Sequence, residues 1–364
     1  MSSKIFGLLL LISSLFYQAL CYAQEQPIPD WVKDIGGNGE SKLAGIGVDK
    51  NDNVYVAGNF QGTIIVDHSS VSTPITLTSK GHYDIYVAKY TPDGKLLWAK
   101  SMGGTNLDQV NNLAIDKDGN VIIGASFTSA SIDCDPGLGV FVINSNGGED
   151  ALVVKLDTDG NFIWARSVGG GSTDRGHVVT ADKDGNIIFV GSFSSANVSI
   201  NNNTLINRGS FDGFMVKYSA TGNVAWSVGF NSTATDELKS VKTDSNGSIA
   251  IMGYFGANIN LNPGGTANNV TATGETYFIA KYTVDGILEW ANKIDGSASR
   301  TVASISIGPT NDIFTTGIFS GSINFNSSQT ISLTSSGGVN LFITKYDTGG
   351  KTIWAEGITS TASN

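Results

Sequence analysis

The sequence predicts an all-β fold: a β-propeller of four-stranded antiparallel blades, with five full repeats of about 65 residues plus one leading outer strand. Three observations predict it. All six tryptophans sit in variants of one phrase, such as "LLWAKSMGG" around Trp98 and "FIWARSVGG" around Trp164, at successive spacings of 67, 66, 62, 64 and 64 residues. A fixed period in this range marks a repeat architecture. Charged residues are only 15% and glycines number 45, and apolar residues come in short alternating runs without helical periodicity.

The N-terminus is read apart from the fold. Lys4 precedes the apolar run "IFGLLLLISSLFYQAL", and Ala23 offers a small residue for cleavage. A positive start and an apolar stretch too short for a comfortable span describe a signal peptide over residues 1–23. Leu20 before Cys21 argues against lipid attachment, and the polar "AQEQPIPD" argues against an uncleaved anchor. The expected product is secreted or displayed at the cell surface, with residues 24–364 forming the propeller and no membrane insertion after cleavage.

Each repeat reads as the same four strands. Strand A is "LAGIGVD" or "NLAIDKD", strand B "NVYVAGNF" or "NVIIGASF", strand C "DIYVAKY" or "DALVVKL", and strand D carries the tryptophan. Turns such as "DKDGN" and "TPDGK" separate the apolar runs, the strongest short-range hairpin signal. The repeats cover about 38–104, 105–170, 171–230, 231–296 and 297–360. One such meander has two apolar faces: Tyr86 and Ala88 point one way, Ile85 and Val87 the other. Stacking meanders around an axis buries both faces, which is why a propeller follows. Each tryptophan is then a plate packing one blade on its neighbour, with its indole N–H near a wet rim.

Between strands B and C the pairs Ile64/Val66, Ile132/Cys134, Val198/Ile200, Ile259/Leu261 and Ile323/Phe325 alternate cleanly. They predict a long hairpin bent near Gly62 and its counterparts. Its tip carries Asp67, Asp135, Asn201, Asn262 or Asn326, as an Asx-turn requires. The phrase "DWVKDIGG" reads as a lone outer strand ahead of the first repeat. Since the last repeat brings its own strand D, either five blades close with a spare strand or the chain is a piece of a longer propeller; the second is expected.

Units such as "LAIDKDGNVIIGASF" followed by "DALVVKLDTDGNFIWARSVGG" resemble the repeats of the seven-bladed β-propeller repeat family of secreted bacterial proteins. The "DCDPGLG" and "LNPGG" tips resemble those of its envelope and secreted members. The resemblance covers nearly all of 31–358 and implies a binding or surface module. It departs in having five units rather than seven and no sorting domain.

Composition excludes several functions. A net charge of −10 with no basic stripe argues against nucleic acid and against anionic lipid. Past the leader only Cys134 remains, so no intramolecular disulfide can form. Cys134 holds an alternating apolar position and reads as a half-buried hydrophobe rather than a nucleophile. His68, His82 and His177 occupy unrelated repeat positions and suggest neither a metal cluster nor a catalytic triad. The "DKDGN" and "DTDGN" segments lack the length and closing Glu of a calcium loop; no cofactor is expected, calcium being the one these turns suggest. "SVGGGSTDRG" is followed by no helix to hold a phosphate.

The D-to-A loops carry Glu40, Asp108, Asp174 with Arg175, Asp236 with Glu237, and Arg300. At a channel mouth these residues offer a weak ligand site for a cation or a sugar. The simpler role for each acid is to satisfy the backbone at the start of strand A. The expected function is a non-catalytic module binding a protein or glycan. The alternative is a carbohydrate lyase or hydrolase using the mouth carboxylates, since such chemistry needs two carboxyls at a set separation.

Overall fold

The computed structural model describes residues 31–67, 74–272, 274–325, 331–335 and 338–358, without the side chains of 297–303. The leader at 1–23, His68, the hairpin-tip Asn326 and the Arg300 side chain lie outside the described residues. The chain divides into Met1–Lys33 and Asp34–Asn364, and every described strand lies in the second. Those strands are all antiparallel in their pairing, and no helix occurs among the described residues.

In the first repeat the four strands are Ser41–Val48, Val54–Phe60, Asp84–Tyr90 and Leu96–Met102. The second has Asp108–Ile115, Val121–Phe127, Asp150–Leu156 and Phe162–Val168. The third has Asp174–Ala181, Ile187–Phe193, Asp212–Tyr218 and Val224–Phe230. Each of these repeats forms its own four-stranded sheet, ordered as in the chain. The fourth repeat begins likewise with Glu237–Thr243, Ile249–Phe255 and Thr276–Tyr282. Its last strand, Leu288–Ile307, then runs on unbroken to become the first strand of the fifth repeat. The predicted boundary at 296/297 therefore falls inside a strand. Asp295-Gly296 stands where earlier repeats place Gly103-Gly104 and Gly169-Gly170 to turn the chain. Ile313–Asn324, Asn340–Tyr346 and Thr352–Ile358 complete the fifth repeat within this shared sheet.

Turn chemistry follows the D-G signal. In the second repeat Asp116 Oδ1 accepts the N–H groups of Asp118 and Asn120, both at 2.9 Å. Gly119 takes the left-handed backbone (φ +86°) that closes the turn. Asp49, Asp157, Asp182, Asp244 and Asp347 do the same in other turns. The carboxylate that suggested calcium is thus engaged by its own backbone.

Consecutive repeats pack face to face through four apolar clusters. The first joins Tyr55, Ala57, Ile85 and Val87 of repeat one to Val110, Leu113, Ile123 and Val154 of repeat two. The others join repeats two to three, three to four and four to five. Strand C does present its two faces as expected, for Tyr86 and Ala88 enter a different cluster. Burying a Val, Leu or Ile is worth roughly 1.5–3 kcal/mol per side chain. Each joint buries between five and ten such residues, with aromatic, Met and Ala side chains among them, and holds the stack without a disulfide.

The tryptophans are the outer bolts of these joints. Trp98 Nε1 donates to the carbonyl of Thr158 in the next repeat at 3.0 Å, Trp164 to Ala220 at 3.1 Å, and Trp290 to Thr348 at 3.0 Å. The turn glycine beside each acceptor lies against the indole, so that a Cβ on Gly222 would fall 2.7 Å from the Trp164 ring. A lysine of strand C bonds the same carbonyl: Lys89 reaches Thr158 at 3.0 Å and Lys217 reaches Val284 at 3.1 Å. The same lysines pair with the turn aspartates, Lys155 with Asp116 at 2.8 Å and Lys217 with Asp182 at 2.9 Å.

The predicted B–C hairpins are present as short ladders, for example Ser131–Asp133 with Val142–Asn144 and Asn197–Ile200 with Asn203–Ile206. Their alternating residues are buried, including Ile132 and Cys134 at 0% exposure. Cys134 is therefore fully rather than half buried. The chain bends into the first hairpin at Gly62 (φ +74°).

The leading segment departs from expectation. Residues 31–35 form no strand, and Gly36–Gly37 pairs with Ile65 and Ile64 of the first hairpin. This is the contact that Gly103 makes with Asp133 in the next repeat. The glycines are required there, because a Cβ on Gly37 would meet the Thr63 carbonyl oxygen at 2.2 Å. No apolar cluster joins the first repeat to the fifth among the described residues.

Candidate functional site

The D-to-A loops bring strand starts of adjacent repeats together. Asp108 and Asp174 open strand A and Asp236 directly precedes it, at 0%, 0% and 1% exposure. Asp108 Oδ2 accepts the Gly104 N–H at 2.6 Å and the Ser129 hydroxyl at 2.8 Å. Asp174 accepts the N–H groups of Gly170, Ser194 and Ser195 at 2.7, 3.0 and 3.1 Å and the Ser195 hydroxyl at 2.6 Å. Asp236 accepts the Ser232 hydroxyl at 2.9 Å and the Gly256 N–H at 3.2 Å. Each of these acids satisfies the backbone around its own strand start.

A second ring of acids, which sequence reasoning missed, faces them from the preceding repeat. Asp84, Asp150 and Asp212 open strand C and are at most 1% exposed. Their Oδ2 atoms accept the N–H groups of Lys80, Asn146 and Arg208 at 2.8, 2.7 and 2.7 Å. Their Oδ1 atoms have no partner within hydrogen-bond distance. Backbone bonds hold the two rings in register: Asp108 N donates to Tyr83 O at 2.8 Å, Asp174 N to Glu149 O at 2.6 Å, and Asp236 N to Phe211 O at 2.7 Å. Burial, with the neighbouring Asp108 charge adding to it, pushes Asp84 up to about 6. Burial and the Asp236 charge push Asp212 up to about 7, and burial pushes Asp236 up to about 6. Recurrence of Asp at the start of both strands A and C was the available sequence signal.

The other sequence candidates lie in more open surroundings. Glu40 accepts the Tyr83 hydroxyl and pairs with Lys42 at 3.3 Å. Arg175 pairs with Glu149 at 2.9 Å and lies over the Phe211 ring. Glu237 pairs with Lys239 and lies 3.8 Å from His177 Nε2. Burial drives His177 down to about 4, so the ring is neutral at ordinary pH. Its Nδ1 therefore carries the proton donated to Leu238 O at 2.7 Å.

That histidine belongs to a line of side chains stitching the inner strands together. Asn59 brackets Val110, accepting its N–H at 2.7 Å and donating to its carbonyl at 3.2 Å. Asn111 reaches Gly176 O at 2.7 Å, and Ser240 accepts the Ile305 N–H at 3.0 Å.

Open space lies elsewhere, at the outer edge. A cleft of ≈330 Å³ is lined by Arg166, Asn201, Gly222, Asn223 and Val224. A second, of ≈370 Å³, lies between the third hairpin, strand Val224–Phe230 and the Pro263-Gly264 tip. Arg166 and Arg208 line these clefts with amides and hydroxyls. Among the described residues no cluster of three or more His, Cys, Asp or Glu is placed to hold a metal.

No protein-family model matches the chain. An uncharacterized WD repeat-containing protein of Acanthamoeba polyphaga mimivirus is 29% identical over 245 residues, 58% of this chain and 17% of that protein. The regulatory protein FlaEY of Caulobacter vibrioides is 26% identical over 201 residues, 54% of this chain and 20% of that protein. The matched stretches thus span a fifth or less of either relative. Among solved structures, a protein of unknown function from Bacteroides caccae aligns over 87% of this chain and 82% of its own at 10% identity, with a TM-score of 0.38. The WD-repeat likeness supports a repeat β-propeller organisation. No helix among the described residues is long and apolar enough to cross a membrane.

Proposed function

We propose that the chain is an exported, non-catalytic recognition module whose repeats are propeller blades and whose surface binds a protein or a glycan. The reading rests on where the acids go. Asp108, Asp174 and Asp236, offered by the sequence as mouth carboxylates, are sealed at repeat junctions and bonded to neighbouring backbone N–H and serine hydroxyl groups, Asp236 through Oδ1 alone. Concave polar surface lies instead beside the tip of the third hairpin, where Arg166, Asn201 and Asn223 line a cleft with donors and acceptors. Mixed amide and guanidinium linings suit hydroxyl-rich or peptide ligands. No cofactor is invoked, and the leader accounts for export to the surface.

The test pairs a glycan array and a surface-protein binding screen with activity assays on polysaccharide substrates. Binding weakened at least several-fold by Arg166→Ala or Asn201→Ala supports the reading. Turnover of a polysaccharide that is lost on substituting Glu40, Arg175 or Glu237 overturns it. Thermal unfolding with calcium and with chelator checks the turns: a shift on adding calcium would assign them a metal.

A further inference from the structure

The two ends of the stack are apolar where they have no neighbour. In the first repeat Leu43, Ile46 and Val48 are 61%, 64% and 55% exposed. By strand register Leu43 and Ile46 stand where Val110 and Leu113 stand in the second repeat, buried at 1% and 6%. In the fifth repeat the opposite face is open. Leu341 is 44% exposed, while its register equivalents Ile85, Ala151 and Tyr277 are at 0%. Phe314 and Ile343 beside it are only half-buried, and Ile358 is 64% exposed. Inside the chain, faces of this kind are covered by the adjoining repeat.

We propose that a second copy of the chain docks head to tail, the open face of the fifth repeat in one copy against the open face of the first repeat in the other. The four joints inside the chain show what covers such faces. At each, the residue equivalent to Ile46 (Leu113, Val179, Val241 or Ile305) shares a cluster with those equivalent to Phe314 and Ile343, while in the third repeat glycines, Gly176 and Gly213, stand for Leu43 and Leu341. The two ends therefore carry the two halves of a joint that the chain already makes four times. The contact is heterologous, so repeated docking gives a ring or a filament rather than a closed pair.

One segment competes for the same place. Ile35 packs against Phe60, Ile64, Tyr86 and Ala88. In the repeated phrase it holds the position of Met102, Val168, Phe230 and Ile294, which fill the interior joints. The outer strand of an incoming copy, ending at Ile358, needs that position and has to displace residues 35–37.

Sedimentation velocity of the purified protein at rising concentration tests the proposal, with Ile46→Asp blocking one face and Leu341→Asp the other. Both side chains are exposed, so the fold tolerates the changes. The wild type is expected to associate, and each variant alone to stay monomeric. An equal mixture of the two is expected to form dimers and nothing larger, because one competent face of each kind remains. Deleting residues 24–37 is expected to move association to several-fold lower concentration. A wild type that stays monomeric throughout, a single variant that dimerises alone, or a mixture that stays monomeric overturns the proposal.

Discussion

Trp164 Nε1 and the Ala220 carbonyl meet at 3.1 Å across a joint between two sheets, although 56 residues separate them in the chain. Lys155 donates to the same carbonyl at 3.3 Å. One turn of the third repeat thus receives two donors from the second, and the indole closes over its glycine.

Gly222 is the residue of this turn least able to change. Its φ is +82°, and a Cβ would fall 2.7 Å from the Trp164 ring. Gly222→Ala is expected to cost about 1–3 kcal/mol from backbone strain, with displacement of the indole adding to it. Trp164→Phe, which keeps a ring but loses the donor, should cost at least about 1 kcal/mol. Gly171→Ala, with nothing within 4 Å, serves as the control and should be neutral. Urea unfolding midpoints check the ranking.

The buried lysine beneath that carbonyl gives a second prediction. Lys155 and Asp116 pair at 2.8 Å with side chains only 4% and 1% exposed. Burial pushes Asp116 up, yet bonds from Lys155 and Asn120 outweigh it and hold the carboxyl below its ordinary range. Lys155→Met leaves that charge unpaired and should cost roughly 3–5 kcal/mol. In the fifth repeat Gly308 stands for Asp116, and Lys345 pairs instead with Asp312, at the position of Asn120, with side chains 27% and 22% exposed. There the same change should cost far less, because solvent already screens the pair.

The joints were legible in the sequence because one physical task recurs at each of them. Trp98, Trp164, Trp226 and Trp290 do the same work, so their spacing announced the repeat. Hairpin burial was legible for a similar reason: Ile132 and Cys134 alternate with polar neighbours, and both are buried. The facing acids were not legible, since Asp150 and Asp174 belong to different repeats and meet only once two sheets stack. The open ends were hidden as well. Leu43 and Val110 are alike in sequence and differ only in having a neighbour. The lone strand around "DWVKDIGG" was misread because its glycines pair with a hairpin, a contact the tryptophan phrase does not advertise.

Cys134 offers a local probe of hairpin opening. It is 0% exposed, and burial, with the charges of Asp133 and Asp108, pushes its thiol up to about 12. A thiol that is neither accessible nor ionised reacts only when the structure opens. Labelling of the native protein with a disulfide reagent is therefore expected to be far slower than labelling of the urea-unfolded chain. Rapid stoichiometric labelling of the native protein would place Cys134 at the surface and contradict the packing of the second hairpin.

The facing acids predict an unusual response to pH. Asp212, Asp84 and Asp236 have folded values raised to about 7, 6 and 6, above the ordinary carboxylate value of 3.8. Their stabilising contribution is fully present below that ordinary value and is lost as pH rises towards 7, because the folded state binds protons that the unfolded state has released. His177 works the other way. Its value is lowered from 6.5 to about 4, so its contribution is present above 6.5 and lost on acidification. Asp116 and Asp182, held below 3.8, lose theirs only in stronger acid. Three raised acids outnumber the one histidine, so the protein should be more stable near about pH 5 than near about pH 8. Asp212→Asn isolates the effect. It replaces a carboxyl facing Asp236 and bonded to the Arg208 N–H with a neutral group of the same shape. The variant should be more stable than the wild type above neutrality and show a flatter pH profile. Denaturant titrations across this range decide it: a wild type that gains stability from acid to alkaline pH, or an Asp212→Asn variant weaker at alkaline pH, would mean that these acids remain ionised in the folded protein.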